Sequence, residues 1–279
     1  MVNPRPRDVR DELGDRLARW ADGRATPLVV GLCGAQGSGK STLATALAAG
    51  LRARGIATVV LALDDYYLPR SAREALARSV HPLLATRGVP GTHDVNLLAR
   101  VLAQVDAGHA CLGPRFDKAT DDRVPEAQWQ RIEASLRVVL FEGWCVGAHA
   151  QASAALVEPV NALEREEDPQ GTWRRYVNAQ MEGPYQRLHA RLDRLVLLAV
   201  PGMDAVLEWR TQQERELAQA RAASGGAATG VMDASQLRRF IAHYERITRH
   251  VLSEMPARAD AVIDVQPGHV LAWRGQPRG

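Results

Sequence analysis

One glycine-rich segment, residues 34–41, constrains the fold of this chain more than any other part of the sequence. It matches G-x-x-x-x-G-K-[ST], the P-loop pattern in which main-chain N–H groups hold nucleotide phosphates. An apolar run over 28–32 precedes it, and leucines at helical spacing follow over 43–51, which is the strand–turn–helix context of a P-loop. In such a loop Lys40 reaches the β- and γ-phosphates, and the hydroxyl of Ser41 ligates Mg²⁺. The segment therefore predicts binding of a nucleoside triphosphate.

The predicted phosphate-binding residues follow from the same segment. Its glycines let the main chain turn inward, and the N-terminus of the next helix adds the positive end of its dipole. A glycine turn with a purely structural role is the alternative. The predicted nucleotide-binding residues are Gly34, Ala35, Gln36, Gly37, Ser38, Gly39, Lys40, Ser41 and Thr42.

Composition limits the partners that the chain can have. The 279 residues are 46% apolar, enough for one large α/β domain or two small ones, and the net charge is only +3. The basic residues are spread along the chain, so no nucleic-acid surface is indicated. Of 35 basic residues only Lys40 and Lys118 are lysines. Since a P-loop requires a compact ammonium at Lys40, Lys118 becomes a candidate functional residue too, with a leftover surface lysine as the alternative.

The cysteines and the apolar runs indicate where the protein works. Cys33, Cys111 and Cys145 show neither metal-ligand spacing nor even pairing, which indicates buried thiols in a reducing compartment. The first residues lack the apolar core of a signal peptide, and no run approaches the roughly 18 apolar residues of a membrane span. The sequence predicts a cytoplasmic protein with no membrane partner.

Five apolar segments of β-strand character alternate with helical patterns, and no linker divides them. This alternation predicts one α/β domain over 1–279, a P-loop NTPase fold of three layers (α/β/α) with a doubly wound, mostly parallel central sheet and a helical lid. A helix within 1–25 is appended at the start, and about 203–250 holds the lid and the C-terminal helices. Another helix is predicted from about 173 to 192. The predicted strands are 28–32, 56–63, 137–141, 194–200 and 261–265.

Carboxylates follow two of the predicted strands. Asp64 and Asp65 come directly after the strand 56–63, which we place one strand over from the P-loop. Ligands lie beyond the carboxyl ends of the strands in such sheets, so one of the two can act as general base on an acceptor hydroxyl and either can hold Mg²⁺. Capping of the next helix is the alternative. Glu142 follows the strand 137–141 at the position of a Walker B carboxylate, which orients Mg²⁺.

Two loops contain residue types that bind anions. Residues 81–94 are rich in Pro, Gly, His and Arg, which is typical of a ligand-facing loop, although His93 is equally compatible with a core or capping histidine. Residues 113–123 alternate in charge, which suits an anionic substrate or a triphosphate, with solvated surface charge as the alternative. The cations of this second loop are Arg115, Lys118 and Arg123.

Taken in order, the motifs resemble the plant- and yeast-type D-glycerate 3-kinases. That group lies in the branch of P-loop kinases that also holds uridine kinase, pantothenate kinase and phosphoribulokinase. The resemblance runs from the P-loop to about residue 250, nearly the whole chain. The matching segments are 31–41, Leu63-Asp64-Asp65-Tyr66-Tyr67-Leu68, 87–94 (Arg-Gly-Val-Pro-Gly-Thr-His-Asp), 114–118 (Pro-Arg-Phe-Asp-Lys), 141–144 (Phe-Glu-Gly-Trp) and the lid-like Trp209-Arg210 with Gln213-Glu214.

The resemblance implies transfer of the γ-phosphoryl group of ATP, with Mg²⁺, to a hydroxyl of a small hydroxy acid; in glycerate kinases this is the 3-hydroxyl of D-glycerate. By position, Asp64 matches the carboxylate base, Glu142 the metal-orienting carboxylate, and Arg210 a lid arginine that closes on the phosphates. With Lys40 these are the expected catalytic residues. Ser41, Asp64 and Glu142 are the expected metal ligands. The residues expected to line the acceptor are Asp65, Tyr67, Arg87, His93, Asp94, Lys118 and Arg123.

Two other hypotheses remain open from the sequence. A kinase of the same class could act on a different alcohol, such as a nucleoside or a pantothenate-like molecule. A regulatory ATPase with a protein partner is the hypothesis from another class. The guanine-specificity motif Asn-Lys-x-Asp is not found, because the chain contains no Asn-Lys pair. The sequence does not predict the oligomeric state.

Overall fold

A six-stranded sheet forms the centre of the computed structural model, which describes residues 8–223 and 232–275. The strand order is β10-β9-β8-β1-β7-β2, with β10 antiparallel to β9 and the other five strands parallel. The strands of this sheet are β1 (Leu28–Gly34), β2 (Thr58–Ala62), β7 (Val138–Gly143), β8 (Arg194–Ala199), β9 (Ala261–Gln266) and β10 (Val270–Trp273). The prediction of a mostly parallel α/β fold is confirmed.

Helices cover both faces of the sheet, because its central strands are apolar on both sides. All seven residues of β1 are buried. Val29 and Cys33 belong to one core cluster, whereas Leu28, Val30 and Leu32 belong to the other, as expected for side chains that alternate between two covered faces. The helices are α1 (Val9–Ala21), α2 (Lys40–Ala53), α3 (Arg70–Ser79), α4 (Val95–Asp106), α5 (Ala162–Glu167), α6 (Thr172–Gln180), α7 (Gln186–His189), α8 (Met203–Ala223) and α9 (Ala234–Glu254).

The small strands between α4 and β7 were not predicted from the sequence. They form two antiparallel pairs, in which β3 (Cys111–Gly113) pairs with β6 (Gln130–Ile132) and β4 (Phe116–Asp117) pairs with β5 (Asp122–Arg123). Strand β10 was also missed. In the described residues, 8–223 and 232–275, no helix is long and apolar enough to cross a membrane.

The helix predicted over about 173–192 is present over 172–189, but it is not α-helical throughout. It is divided into α6, a π-helical turn at Met181–Tyr185 and α7. The turn contains Pro184, whose ring cannot donate the main-chain hydrogen bond of an α-helix and clashes with the preceding turn, so the helix widens there.

Two expectations about strands also need correction. Asp64 does not lie one strand over from the P-loop: β7 lies between β1 and β2, because strand order in a doubly wound sheet does not follow chain order. Glu142 does not follow its strand but lies within β7, since the ladder with β1 continues through the pair Leu32–Glu142. The result is that Glu142 lies between the P-loop and Asp64.

Candidate active site

The P-loop is a tight turn between the end of β1 and the start of α2 at Lys40. Gly37 and Gly39 have φ values of 79° and 81°, in the left-handed region that favours glycine. A Cβ atom on Gly34 would lie 2.6 Å from the Oγ atom of buried Ser38. These glycines are therefore needed for the turn itself. We call residues 34–42 the nucleotide side of the site.

Ser41 and Glu142 meet at the mouth of this loop. The Ser41 hydroxyl donates to Oε1 of Glu142 over 2.7 Å. Burial raises the pKa of Glu142, although Lys40 and the bond from Ser41 partly oppose that shift. A hydroxyl and carboxylates are the hard oxygen donors that suit Mg²⁺. Among residues 8–223 and 232–275, no three His, Cys, Asp or Glu side chains cluster as a metal site, so phosphate and water oxygens would have to complete the coordination.

Asp64 lies in a short 3₁₀ helix, Leu63–Tyr66, at the carboxyl end of β2. Lys118 Nζ donates to its Oδ2 over 2.6 Å, and the Tyr67 hydroxyl donates to its Oδ1 over 2.8 Å. Burial alone would raise the pKa of Asp64, but Lys118, Lys40 and the two hydrogen bonds outweigh it and hold that pKa well below its usual value. Asp64 is thus a carboxylate at neutral pH. Lys118 pairs with it and is no mere leftover cation.

Asp65 has different surroundings from its neighbour. Its carboxylate accepts from Arg115 Nη1 at 2.9 Å and from the main-chain N–H of Phe116 at 3.2 Å. Burial raises the pKa of Asp65 despite Arg115. Neither aspartate caps α3, whose N-cap is Pro69, so the capping alternative was wrong. Asp65 binds the start of β4, so of the two aspartates Asp64 is the one whose pKa Lys40 lowers.

Further cations of the two loops are each bound to a carboxylate. Arg87 pairs with Asp121, and Arg123 Nη2 donates to the main-chain oxygen of Tyr67 over 3.0 Å and lies 3.5 Å from Asp94. Asp94 also caps α4 by accepting from the N–H of Leu97 at 2.9 Å. The charges therefore form a network rather than unconnected surface decoration. We call the following set the acceptor side: Asp64, Tyr67, Arg87, His93, Lys118 and Arg123.

His93 lies inside this network. It is 4% exposed, and burial lowers the pKa of its imidazole to about 3, so the ring is neutral at pH 7. Its ring stacks on that of Tyr67 with centroids 4.5 Å apart. Its Nδ1 atom lies 2.5 Å from the hydroxyl oxygen of Tyr185, which is in the π-helical turn. His93 is buried, as one alternative expected, yet it is packed against a residue that binds Asp64.

Arg210 is not brought against the reacting groups. Its guanidinium donates within α8, to Gln213 over 2.7 Å and to Glu214 over 2.6 Å. The preceding residue, Trp209, does reach the P-loop: a Cβ on Gly37 would lie 3.1 Å from its Cβ. Helix α8 therefore covers the nucleotide side, while the expected closure of Arg210 on phosphates remains a prediction.

Sequence reasoning missed residues that pack around both sides of the site. His269, just beyond β9, has Nε2 2.7 Å from the main-chain oxygen of Gly37, and its ring packs on Trp209 with centroids 4.7 Å apart. Its place at the carboxyl end of a parallel strand was the signal that could have found it. Trp144 lies in the matching segment 141–144 but was given no role; its Nε1 donates to the main-chain oxygen of Gly88 over 2.8 Å, a long-range contact that local sequence does not reveal.

Comparison with known proteins identifies the family of this chain. "Uncharacterized kinase mug58" of Schizosaccharomyces pombe is 34% identical over 85% of this chain and 85% of its own length. "D-glycerate 3-kinase, chloroplastic" of Arabidopsis thaliana is 30% identical over 73% of this chain, which spans 45% of that protein's length. The chain belongs to the family of P-loop kinases that includes D-glycerate 3-kinase. It is accordingly an ATP-dependent phosphotransferase that acts on an alcohol group.

Two further comparisons concern the fold and the P-loop segment. The solved D-glycerate 3-kinase of Cryptococcus neoformans matches with a TM-score of 0.76 and 24% identity, over 96% of this chain and 98% of that one, which shows a shared fold. The profile described as "Methylmalonyl Co-A mutase-associated GTPase MeaB" matches residues 3–73 alone. That range contains the P-loop, so this match reflects the shared nucleotide-binding segment.

Proposed function

We propose that this kinase transfers the γ-phosphoryl group of ATP to the 3-hydroxyl of D-glycerate. The observation that supports it most is the setting of Asp64, a carboxylate at the carboxyl end of β2 held by Lys118 and Tyr67 and close to Lys40. A carboxylate there is suited to accept the proton of an alcohol while Lys40 binds the phosphates. The names of two similar proteins, from Arabidopsis thaliana and Cryptococcus neoformans, supply the identity of the alcohol.

The chemistry assigned to the site is mostly positioning and charge neutralisation, as phosphoryl transfer requires. The nucleotide side holds the phosphates through main-chain N–H groups and Lys40. Mg²⁺, held by Ser41, Glu142 and Asp64, would neutralise charge on the phosphates. Asp64 orients the attacking hydroxyl and takes its proton. Arg210 approaches the phosphates when α8 closes.

The charges of the acceptor side favour an acid over a neutral alcohol. Lys118, Arg87 and Arg123 are all paired with aspartates in the structure. A substrate carboxylate can take the place of the aspartate that is bound to one of these cations. The charge of the substrate carboxylate is then neutralised by the cation. A nucleoside carries no anionic group for such an exchange, so its sugar and base would leave these cations unused.

The test is ADP release with Mg·ATP across D-glycerate, L-glycerate, uridine, pantothenate and ribulose 5-phosphate. We expect release with D-glycerate alone and 3-phosphoglycerate as the product, identified by ³¹P NMR. Release with another alcohol would keep the kinase and replace the acceptor. No release with any member would overturn the proposal and return attention to a regulatory ATPase with a protein partner.

The proposal includes the cellular compartment in which the enzyme works. We place the enzyme in the cytoplasm, where thiols stay reduced. Cys33, Cys111 and Cys145 are free in the structure, and burial raises the pKa of Cys33 to about 12, so that thiol stays protonated. Titration of thiols in freshly isolated protein should find all three reduced.

A further inference from the structure

The hydrogen bonds around Tyr185 determine which nitrogen of His93 carries the proton. The main-chain N–H of Gly91 donates to the Tyr185 oxygen over 3.3 Å, and that oxygen lies 2.5 Å from His93 Nδ1. Burial raises the pKa of Tyr185 well above its usual value, so its phenol keeps its proton. Of the two hydrogen bonds that the phenol makes with residues 8–223 and 232–275, only the one to Nδ1 can have the phenol as its donor. Tyr185 therefore donates to His93 Nδ1.

The second nitrogen of His93 is then a donor without a partner. A neutral imidazole carries one proton, and with Nδ1 accepting, this proton is on Nε2. His93 Nε2 is buried and has no hydrogen-bond partner among residues 8–223 and 232–275. A buried N–H without an acceptor is costly, so an acceptor from outside the chain would stabilise this one. The unpartnered Nε2 atoms of His189 and His243 differ, because their Nδ1 atoms face main-chain oxygens and so carry the proton.

The position of the ring indicates what that acceptor is. His93 stacks on Tyr67, and the Tyr67 hydroxyl binds Asp64, so the ring belongs to the acceptor side and not to a remote part of the core. We infer that His93 Nε2–H donates a hydrogen bond to an oxygen of the acceptor substrate, and that Tyr185 is a positioning residue that fixes the required tautomer. The identity of that substrate rests on the proposed function.

The local fold supports a dedicated role for Tyr185. The π-helical turn Met181–Tyr185 departs from the α-helix just where Tyr185 must reach the loop of His93, and such turns are frequent at functional sites. The loop packs closely there, since a Cβ on Gly91, with φ at 98°, would lie 2.6 Å from the ring of Tyr176. The loop and the turn hold the donor and the imidazole in fixed relation.

The tautomer can be measured without any enzyme assay. In two-dimensional ¹H–¹⁵N NMR of the ¹⁵N-histidine-labelled full chain at pH 7, we expect the Nε2–H tautomer for His93. His243 and His189 are internal controls for which we expect the Nδ1–H tautomer. Their Nδ1 atoms face the main-chain oxygens of Arg239 at 2.9 Å and Ala148 at 3.2 Å, and those oxygens can only accept. Tyr185→Phe should leave His93 as a mixture of the Nδ1–H and Nε2–H tautomers. A protonated Nδ1 at His93 in the wild-type protein would overturn the inference.

Kinetics then tests contact with the substrate. His93→Phe keeps the stacked ring and removes the donor, so we expect the KM for D-glycerate to rise about tenfold while the KM for Mg·ATP stays within about twofold. His93→Gln, whose amide can place a donor near the Nε2 position, should restore part of that loss. His243→Phe is the matched control, since it alters a buried histidine with an unpartnered Nε2 outside the site and should leave both KM values unchanged.

The outcomes separate this inference from the proposed function. An unchanged acceptor KM in folded His93→Phe, or an equal rise in the Mg·ATP KM, would overturn the role of His93. If the panel instead gives another alcohol as substrate, the same variants are measured with that alcohol. In that case the proposed function has failed, while the tautomer and the acceptor KM still decide the inference.

Discussion

The two sides of the site are built by different means. The nucleotide side is nine consecutive residues, 34–42, whose geometry depends on left-handed glycines and on the first turn of α2. The acceptor side gathers side chains from segments spread over residues 64–123, and each charge there is held by another charge. Main-chain N–H groups suit any triphosphate, whereas a particular alcohol needs particular side chains. From this difference we predict that nucleotide binding and acceptor choice can be changed separately.

Loss of Lys40 should have the largest effect. Lys40→Ala removes the ammonium that neutralises the transferred phosphate, so we expect kcat to fall by about 10³-fold or more and Mg·ATP binding to weaken as well. Steady-state ADP release and calorimetric titration with Mg·ATP measure the two effects. Retention of more than a tenth of kcat would contradict the assignment of the nucleotide side.

Loss of Lys118 should act on the other side only. Lys118→Ala removes a cation that can bind the substrate carboxylate, and we expect the KM for D-glycerate to rise about 10- to 100-fold, with the KM for Mg·ATP changed less than about threefold. Arg115→Ala is the matched control, because Arg115 forms a comparable exposed ion pair, with Asp65 rather than Asp64. Equal effects of the two variants would mean that Lys118 has no special role.

Gly88, in the loop between Arg87 and Asp94, gives a test of packing. Its φ is 134° and an added Cβ would clash with the Tyr244 hydroxyl, so Gly88→Ala should lower the free energy of unfolding by about 3 kcal/mol. Gly108 also has a positive φ, 72°, but nothing lies within 4 Å of its Cβ position, and Gly108→Ala should lower it by only about 1 kcal/mol. Urea unfolding of both variants measures the difference. Equal losses of unfolding free energy in the two variants would show that the loop moves to accommodate the added methyl group beside Tyr244.

The effect expected from a single buried histidine on stability in mild acid is smaller than that of Gly88→Ala. Burial lowers the pKa of His93 to about 3 and those of His189 and His243 to about 4, against 6.5 in the unfolded chain. Below pH 6.5 the unfolded state binds protons that the folded state does not, so stability falls as the pH drops from 6.5 towards 4. Each histidine contributes at most about 1.4 kcal/mol per pH unit. His243→Phe should flatten this slope in urea unfolding at pH 5, 6 and 7; an unchanged slope would argue against a neutral buried His243.

Much of the fold and of the nucleotide side could be predicted from sequence because both depend on local patterns. The apolar run before Gly34 and the leucines of α2 are periodic signals, and the P-loop is contiguous. The order of the strands has no such local signal, which is why β7 was not expected between β1 and β2. The π-helical turn was missed because periodicity alone continues through Pro184.

On the acceptor side, sequence identified most of the residues but not their partners. Lys118 was singled out by its rarity, and the structure pairs it with Asp64. The partner of His93, Tyr185, lies 92 residues away, and that contact is produced by tertiary packing alone. The closure of Arg210 on the phosphates stays a prediction; in the structure its guanidinium donates to Gln213 and Glu214 within α8.

The most direct test of two separable sides is Asp64→Asn, measured for binding and for turnover in the same preparation. The amide keeps the shape of the side chain but cannot take a proton, so we expect kcat with D-glycerate to fall by about 10³-fold while the Kd for Mg·ATP stays within about threefold. A variant that retains most of its kcat would contradict the role of Asp64 as the base. A Kd that rises in proportion to the loss of turnover would contradict the separation of the two sides.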